Sequence, residues 1–194
     1  MSSESEQIRE SGFKSSRRAR LERTGRELFL WLRTLASAAV YATLIATFGF
    51  QVARVEGRSM EPTLEDQDRL VINKLAYRLH DPEVGDIVML LHPRNPRQTL
   101  VKRVVAAPGD SVAFRGGLVL RNGTLAAEDF IPADLRSHEN LDAVVVPEGY
   151  YFVLGDHRND SSDSRAFGPV PMKYILGRIQ ARWWPLANAR HFEP

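Results

Sequence analysis

The sequence predicts a mainly β fold, in which a single N-terminal transmembrane helix precedes an antiparallel, partly barrel-like β domain. After residue 54 the chain consists of short runs rich in Val, Ile and Leu, separated by Gly, Pro and Asp. This part has neither βαβ alternation nor a long amphipathic helical pattern. We therefore expect a basic tail at 1–26, a transmembrane anchor at 27–53 and an extracytoplasmic β-rich domain at 54–194.

Composition excludes several classes of protein. The 194 residues carry a net charge of only +2, so we do not expect nucleic acid as a partner. With no cysteine, the chain has no disulfides and no thiol chemistry. The five histidines do not form a paired metal-binding spacing such as H-E-x-x-H. We therefore expect no metal and no cofactor.

The predicted anchor is the most apolar segment of the chain. The twenty residues from Thr34 to Ala53 carry no charge, enough for a helix to cross a hydrocarbon core of about 30 Å. A buried helix of a soluble domain would normally keep a polar stripe. A cleaved signal peptide would have a shorter apolar core and a small-x-small exit, whereas Gln51 stands at the outer small position here. An uncleaved anchor fits the pattern better than either.

The charge distribution predicts the orientation of that anchor. Residues 1–33 hold eight Lys or Arg against five Asp or Glu, and the rest of the chain holds eighteen against nineteen. The basic cluster comprises Arg17, Arg18, Arg20, Arg23, Arg26 and Arg33. By the positive-inside rule the tail is cytoplasmic. The expected location is the plasma (inner) membrane, with a single pass and the β domain on the extracytoplasmic side.

Two residues of the β domain are candidates for catalysis. Ser59, in "VEGRSMEPTL", is either a turn serine or a nucleophile. Strand periodicity in "TLVKRVVAAPGD" places Lys102 on one face with Leu100 and Val104. It is either a sheet-edge lysine whose amine reaches water or a buried one, whose pKa would fall to roughly 7 or 8. A buried neutral lysine can accept the proton of a serine hydroxyl.

Four motifs together resemble those of bacterial type I signal peptidases, which are membrane-anchored serine–lysine proteases. They are "GRSMEPTL", "GDIVML", "VKRVVAAPGDSV" and "GDHRNDSSDSRAFGPVP", and they span about residues 55 to 171 in the order of that family. The resemblance implies a serine endopeptidase that removes signal peptides from exported preproteins after an Ala-x-Ala-like site. Its partners would then be those signal peptides and the lipid bilayer.

The resemblance also implies residue roles. Ser59 would be the nucleophile, Lys102 the general base, and Ser161 would orient the lysine amine. Asp163 and Arg165 would form a structural ion pair, with Asp156 supporting the same loop. Shallow apolar pockets for small substrate side chains would be lined by Val55, Met60, Leu64, Leu100 and Val101.

Two departures from the family pattern leave alternatives open. Gly57 stands where many Gram-negative members have a Ser or Thr donor to the oxyanion, so a side-chain donor is in doubt; a close backbone approach is another reason for glycine there. His157 stands where the family often has Asn, which keeps open a Ser59–His157 pairing. The wider alternatives are a self-cleaving repressor-like Ser–Lys protease and a non-enzymatic single-pass envelope binding protein.

Overall fold

A computed structural model describes residues 26–44 and 49–192 of the chain. It divides into two units, Met1–Ala46 and Thr47–Pro194. In the first unit, residues 26–44 form helix α1, and their side chains are exposed. The predicted tail lies outside the described residues except for Arg26.

The predicted anchor, 27–53, differs from the structure at its C-terminal end. Strand β1 (Phe50–Arg54) occupies its last four residues, because they pair with β2 and alternate between exposed and half-buried side chains. Residues 45–48 of the anchor lie outside the described part of the chain. In the part of the chain that the structure describes, we find no helix with the length and apolar character needed to span a bilayer.

The second unit is built from short strands. The larger sheet contains β1, β2 (Arg69–Asn73), β3 (Ile87–His92), β4 (Asn95–Ala106), β9 (Tyr150–Leu154), β10 (Val170–Pro171), β11 (Ile175–Trp184) and β12 (Arg190–His191). The smaller sheet contains β5 (Ser111–Arg115), β6 (Leu118–Arg121), β7 (Thr124–Leu125) and β8 (Leu141–Val145). Among the described residues of this unit, the helices are α2 (Ala76–Leu79), α3 (Ser164–Phe167) and the 3₁₀ turns Ala133–Leu135, Met172–Tyr174 and Leu186–Asn188.

The predicted antiparallel β fold is confirmed. Every pairing between the described strands is antiparallel, in the orders β1-β2-β11-β3-β4-β9-β10, with β12 on β11, and β7-β6-β5-β8. Both sheets are open, so hydrogen bonding between the described strands does not reproduce the barrel-like part of the prediction.

Two tight turns in the smaller sheet follow the chemistry of their residues. Gly116 and Gly117 join β5 to β6, and Asn122 and Gly123 join β6 to β7. All four have positive φ, as two-residue hairpin loops require.

In the described part of the chain the core has three apolar clusters, and the first supports the segment that carries Ser59. It contains Met60 and Leu64 from that segment together with Leu70, Met89 and Ile179. Strand β4 lies between β3 and β9, so its C-terminal half is buried. This burial matters because Lys102 belongs to that half.

Candidate active site

Ser59 lies on an irregular segment between β1 and β2. The ends of the segment are joined by backbone hydrogen bonds, from Val55 N to Asp68 O at 2.8 Å and from Gln67 N to Val55 O at 3.0 Å. Met60, directly after the serine, is buried in the core. The apolar side chain therefore fixes the segment, while Ser59 remains half-exposed.

Lys102 lies against this serine. Its Nζ is 2.6 Å from Ser59 Oγ, and the whole residue is only 2% exposed. Strand β4 places it opposite Val88, which is fully buried. Burial lowers the pKa of Lys102 from 10.5 to about 8, against the opposing effect of the nearby Asp163 and Asp156 carboxylates.

Gly57 has a conformational explanation rather than a steric one. Its φ is +92°, and a Cβ built there would meet no atom of the described chain within 4 Å, so a close approach within the chain does not explain the glycine. Its N–H donates to Asp66 Oδ1 at 2.9 Å. The glycine thus permits a left-handed turn two residues before Ser59.

We expect Gly57→Ala to destabilise the domain by roughly 1–2 kcal/mol, because a Cβ disfavours this backbone conformation. Chemical denaturation of the full chain in detergent measures the change. Asn tolerates positive φ better than Ala, so Gly57→Asn is the matched variant and should lose less. Equal stability of Gly57→Ala and wild type would contradict this explanation.

A buried carboxylate organises the loop after β9. Asp163 accepts hydrogen bonds from Arg165 Nε and Nη2, both at 2.8 Å, and from Gly155 N at 3.1 Å. This is the ion pair that the resemblance implies. Gly155 is itself confined, because a Cβ there would clash with Ser161 Oγ and the Ser59 carbonyl oxygen. The loop therefore packs directly against the backbone of Ser59.

Asp156 joins three segments of the chain. Its carboxylate accepts from Arg103 Nε at 2.9 Å and Nη2 at 2.7 Å, and from Thr63 Oγ1 at 2.5 Å. Arg103 follows Lys102 on β4, and Thr63 belongs to the Ser59 segment. Asp156 thus ties the base strand, the serine segment and the late loop together, which is more than the support of one loop that the resemblance implies.

Ser161 and His157 differ from their expected contacts. Ser161 Oγ is buried near Ser59 but has no hydrogen-bond partner among the described residues, so the hydrogen bond to Lys102 is not formed. His157 contacts Ser59 through its backbone N–H, which donates to Ser59 O at 3.1 Å. Its Nδ1 lies 3.8 Å from Glu61 Oε2. In the described residues Ser59 Oγ thus pairs with Lys102 rather than with the imidazole.

A groove of about 450 Å³ runs past Ser59. Four of the five side chains expected to contact substrate line it: Val55, Met60, Leu100 and Val101. The fifth, Leu64, is not among its lining residues and packs fully buried in the first core cluster. Polar and charged neighbours also line it, among them Arg54, Glu56 and Arg97.

Sequence reasoning missed three residues of the site. Met89 lines the groove because β3 pairs it with Val101, and only the strand register reveals this. Arg103 and Thr63 join the site through Asp156, which lies 53 and 93 residues away in the chain. The one available signal was the alternation on β4, which directs Arg103 to the face opposite Lys102.

Comparison with known proteins gives consistent results. Residues 28–184 match the family model described as signal peptidase, peptidase S26. The chain is 40% identical to a probable signal peptidase I-2 of Synechocystis sp. over 80% of this chain and 74% of that one. It is 31% identical to signal peptidase IB of Staphylococcus aureus over 87% of this chain and 96% of that one. A crystal structure of a signal peptidase I from Enterococcus faecalis matches with a TM-score of 0.46 and 31% identity, over 52% of this chain and 97% of that one.

Proposed function

This chain belongs to the signal peptidase family, peptidase S26, and we propose that it is a serine endopeptidase that removes signal peptides from exported preproteins with Ser59 as nucleophile and Lys102 as general base. One observation carries the assignment of the dyad: a buried lysine amine lies 2.6 Å from the hydroxyl of a half-exposed serine. Nucleophile and base at hydrogen-bonding distance is the arrangement that nucleophilic catalysis requires.

The proposed reaction starts from neutral Lys102. Its lone pair takes the hydroxyl proton as Ser59 Oγ attacks the scissile carbonyl carbon. The Lys102 ammonium then gives this proton to the leaving amine, and an acyl-enzyme on Ser59 remains. Lys102 next takes a proton from a water molecule, which attacks the ester carbonyl carbon. The Lys102 ammonium then returns this proton to the departing Ser59 Oγ, which releases the second product and restores both groups. We assign the Ser59 backbone N–H as a donor to the tetrahedral oxyanion.

Supporting roles follow from the contacts around the dyad. Asp163, paired with Arg165, holds Gly155 beside the Ser59 carbonyl. Asp156 fixes the strand of the base relative to the serine segment through Arg103. Ser161, whose buried Oγ lies beside Gly155, keeps its proposed role of orienting Lys102.

The groove favours a substrate in extended conformation with small side chains. Val55, Met60, Leu100 and Val101 supply apolar walls around Ser59. Because β4 and the segment after β1 both border the groove, an extended peptide can form strand-like backbone hydrogen bonds there. Shallow pockets then admit Ala immediately before the scissile bond and two positions earlier.

The sequence pattern supports attachment to a membrane. Uncharged residues run from Thr34 to Gly49, before β1 begins, and the Arg-rich tail precedes them. We place the anchor at 27–49, with the tail in the cytoplasm and the enzymatic domain outside. Release of the protein from membranes by alkaline carbonate would contradict this placement. Digestion of the tail by protease added outside intact spheroplasts would contradict it as well.

The activity should rise with pH with an apparent pKa near 8, because only neutral Lys102 accepts the serine proton. At pH 6 about 1% of the lysine is neutral, so kcat/KM should be roughly 100-fold below its plateau. Cleavage rates of a preprotein at low substrate concentration between pH 6 and 10 measure this. His157→Ala should keep the same midpoint. A pH dependence that disappears in His157→Ala would assign the base to the imidazole instead.

The function itself is tested by incubating the full chain in detergent with a preprotein that carries an Ala-x-Ala site. We expect mass spectrometry to find a single cut after the second alanine, and no cut when bulky residues replace both alanines. Ser59→Ala should leave the substrate intact. If the wild type does not cleave the preprotein, the result would favour the alternative hypothesis of a non-enzymatic envelope binding protein. Cleavage only within its own chain would favour the self-cleaving repressor-like protease.

A further inference from the structure

A second cavity, of about 330 Å³, shares no lining residue with the Ser59 groove. Its walls come from the start of β3, from β4, β11 and β12, and from Phe130. Arg103 lines this cavity, whereas Lys102 lines neither this cavity nor the Ser59 groove, consistent with the alternation of side chains on β4. The cavity therefore belongs to the face of β4 that does not carry the dyad.

Three guanidinium groups line this cavity, those of Arg103, Arg178 and Arg190, and Asp86 supplies the only carboxylate among its lining residues. Arg103 is neutralised by its pair with Asp156. Among the described residues, the three arginines that line the cavity therefore outnumber these two carboxylates by one.

Arg178 has a buried donor without a partner among the described residues. It is closest to Asp86 at 3.7 Å, from Nη1 to Oδ1, which is too long for a hydrogen bond. Asp86 accepts through its other oxygen, Oδ2, from Tyr77 Oη at 2.7 Å and from Glu83 N at 3.1 Å. Arg178 Nε is buried and has no hydrogen-bond partner among the described residues. A buried donor of this kind can bind an acceptor that enters the cavity.

Arg190 completes the arrangement from the C-terminal strand. It is exposed on β12, and its guanidinium carbon lies 5.6 Å from the centre of the Phe192 ring. Its forked donors are thus accessible from solvent, while those of Arg178 are half-buried. The exposed guanidinium of Arg190 and the buried Nε of Arg178 can together bind a single polyatomic anion.

We propose that this cavity is a binding site for a phosphate group, held between Arg178 and Arg190. Guanidinium groups bind phosphate oxygens in a bidentate fork, with more directional hydrogen bonds than a lysine ammonium offers. The cavity is larger than one phosphate group needs, which leaves room for the part of the ligand that carries it. The phosphate comes either from a phospholipid headgroup or from a free phosphate compound.

The test is a calorimetric titration of the full chain in an uncharged detergent with inorganic phosphate, at constant ionic strength set by chloride. We expect saturable binding of one phosphate per chain. Arg190→Gln should weaken it at least about tenfold. Arg115→Gln is the matched control, because Arg115 is an exposed arginine of the smaller sheet and should leave the affinity unchanged. Arg178→Gln should act like Arg190→Gln.

Because Arg190 is exposed, its variant decides the question even if Arg178→Gln does not fold. No saturable heat up to about 20 mM phosphate, or equal affinities for Arg190→Gln and Arg115→Gln, would overturn the proposal. Glycerophosphoglycerol, a deacylated lipid headgroup, distinguishes the sources. If it displaces phosphate at a similar or lower concentration, the ligand is a lipid headgroup, and if only inorganic phosphate binds, it is a free phosphate compound.

Discussion

Lys102→Met should reduce kcat/KM for preprotein cleavage by roughly 10³-fold or more, with the fold intact. The variant keeps a long apolar side chain at a position that is 2% exposed, so packing around Val88 should change little. What it removes is the only amine at hydrogen-bonding distance from Ser59 Oγ among the described residues. Steady-state kinetics with a preprotein at pH 8 measure the loss.

Lys102→Arg separates charge from basicity in the same experiment. Arginine keeps a cation but stays protonated, so it cannot accept the serine proton and should be as inactive as methionine. His157→Ala is the companion control and should retain activity within about tenfold, because His157 contacts Ser59 through its backbone. An active Lys102→Met together with an inactive His157→Ala would replace the serine–lysine dyad by a histidine-dependent one.

Local pattern makes Ser59 and Lys102 candidates, and only the family resemblance predicts their catalytic roles. Contacts between distant parts of the chain explain what the sequence does not predict. The apolar alternation around Lys102 leaves a sheet-edge lysine and a buried lysine both open, and the structure contains the buried one. The pairing of Arg103 with Asp156 joins residues 53 positions apart, and nothing in the local sequence of either specifies it. The sequence predicts residues 50–53 as part of the anchor, because an apolar strand that directly follows an apolar helix has the same composition. Only the pairing of Phe50 with Asn73 separates the two.

The burial that makes Lys102 a base should also make the protein less stable. The folded state holds the Lys102 pKa near 8, below the ordinary value of 10.5. Below pH 8 Lys102 is protonated in both the folded and the unfolded chain, so the folded state bears the full cost of burying the ammonium. It decreases as pH rises from 8 to 10.5, where the unfolded chain also loses the proton. The difference of about 2.5 pKa units corresponds to roughly 3 kcal/mol.

Lys102→Met should therefore raise the stability of the domain at pH 7 by roughly 3 kcal/mol, or its Tm by roughly 6 to 12 °C. At pH 10 the gain should fall below about 1 kcal/mol, because Lys102 of the folded wild type is then neutral and little of the cost of burying an ammonium remains. Thermal unfolding in detergent at both pH values measures the two gains.

Ser59→Ala keeps the buried amine, so its stability should depend on pH as much as that of wild type does. A gain from Lys102→Met that is equal at pH 7 and pH 10 would mean that packing, not the proton, causes it. The low pKa that catalysis needs would then have to come from something other than burial.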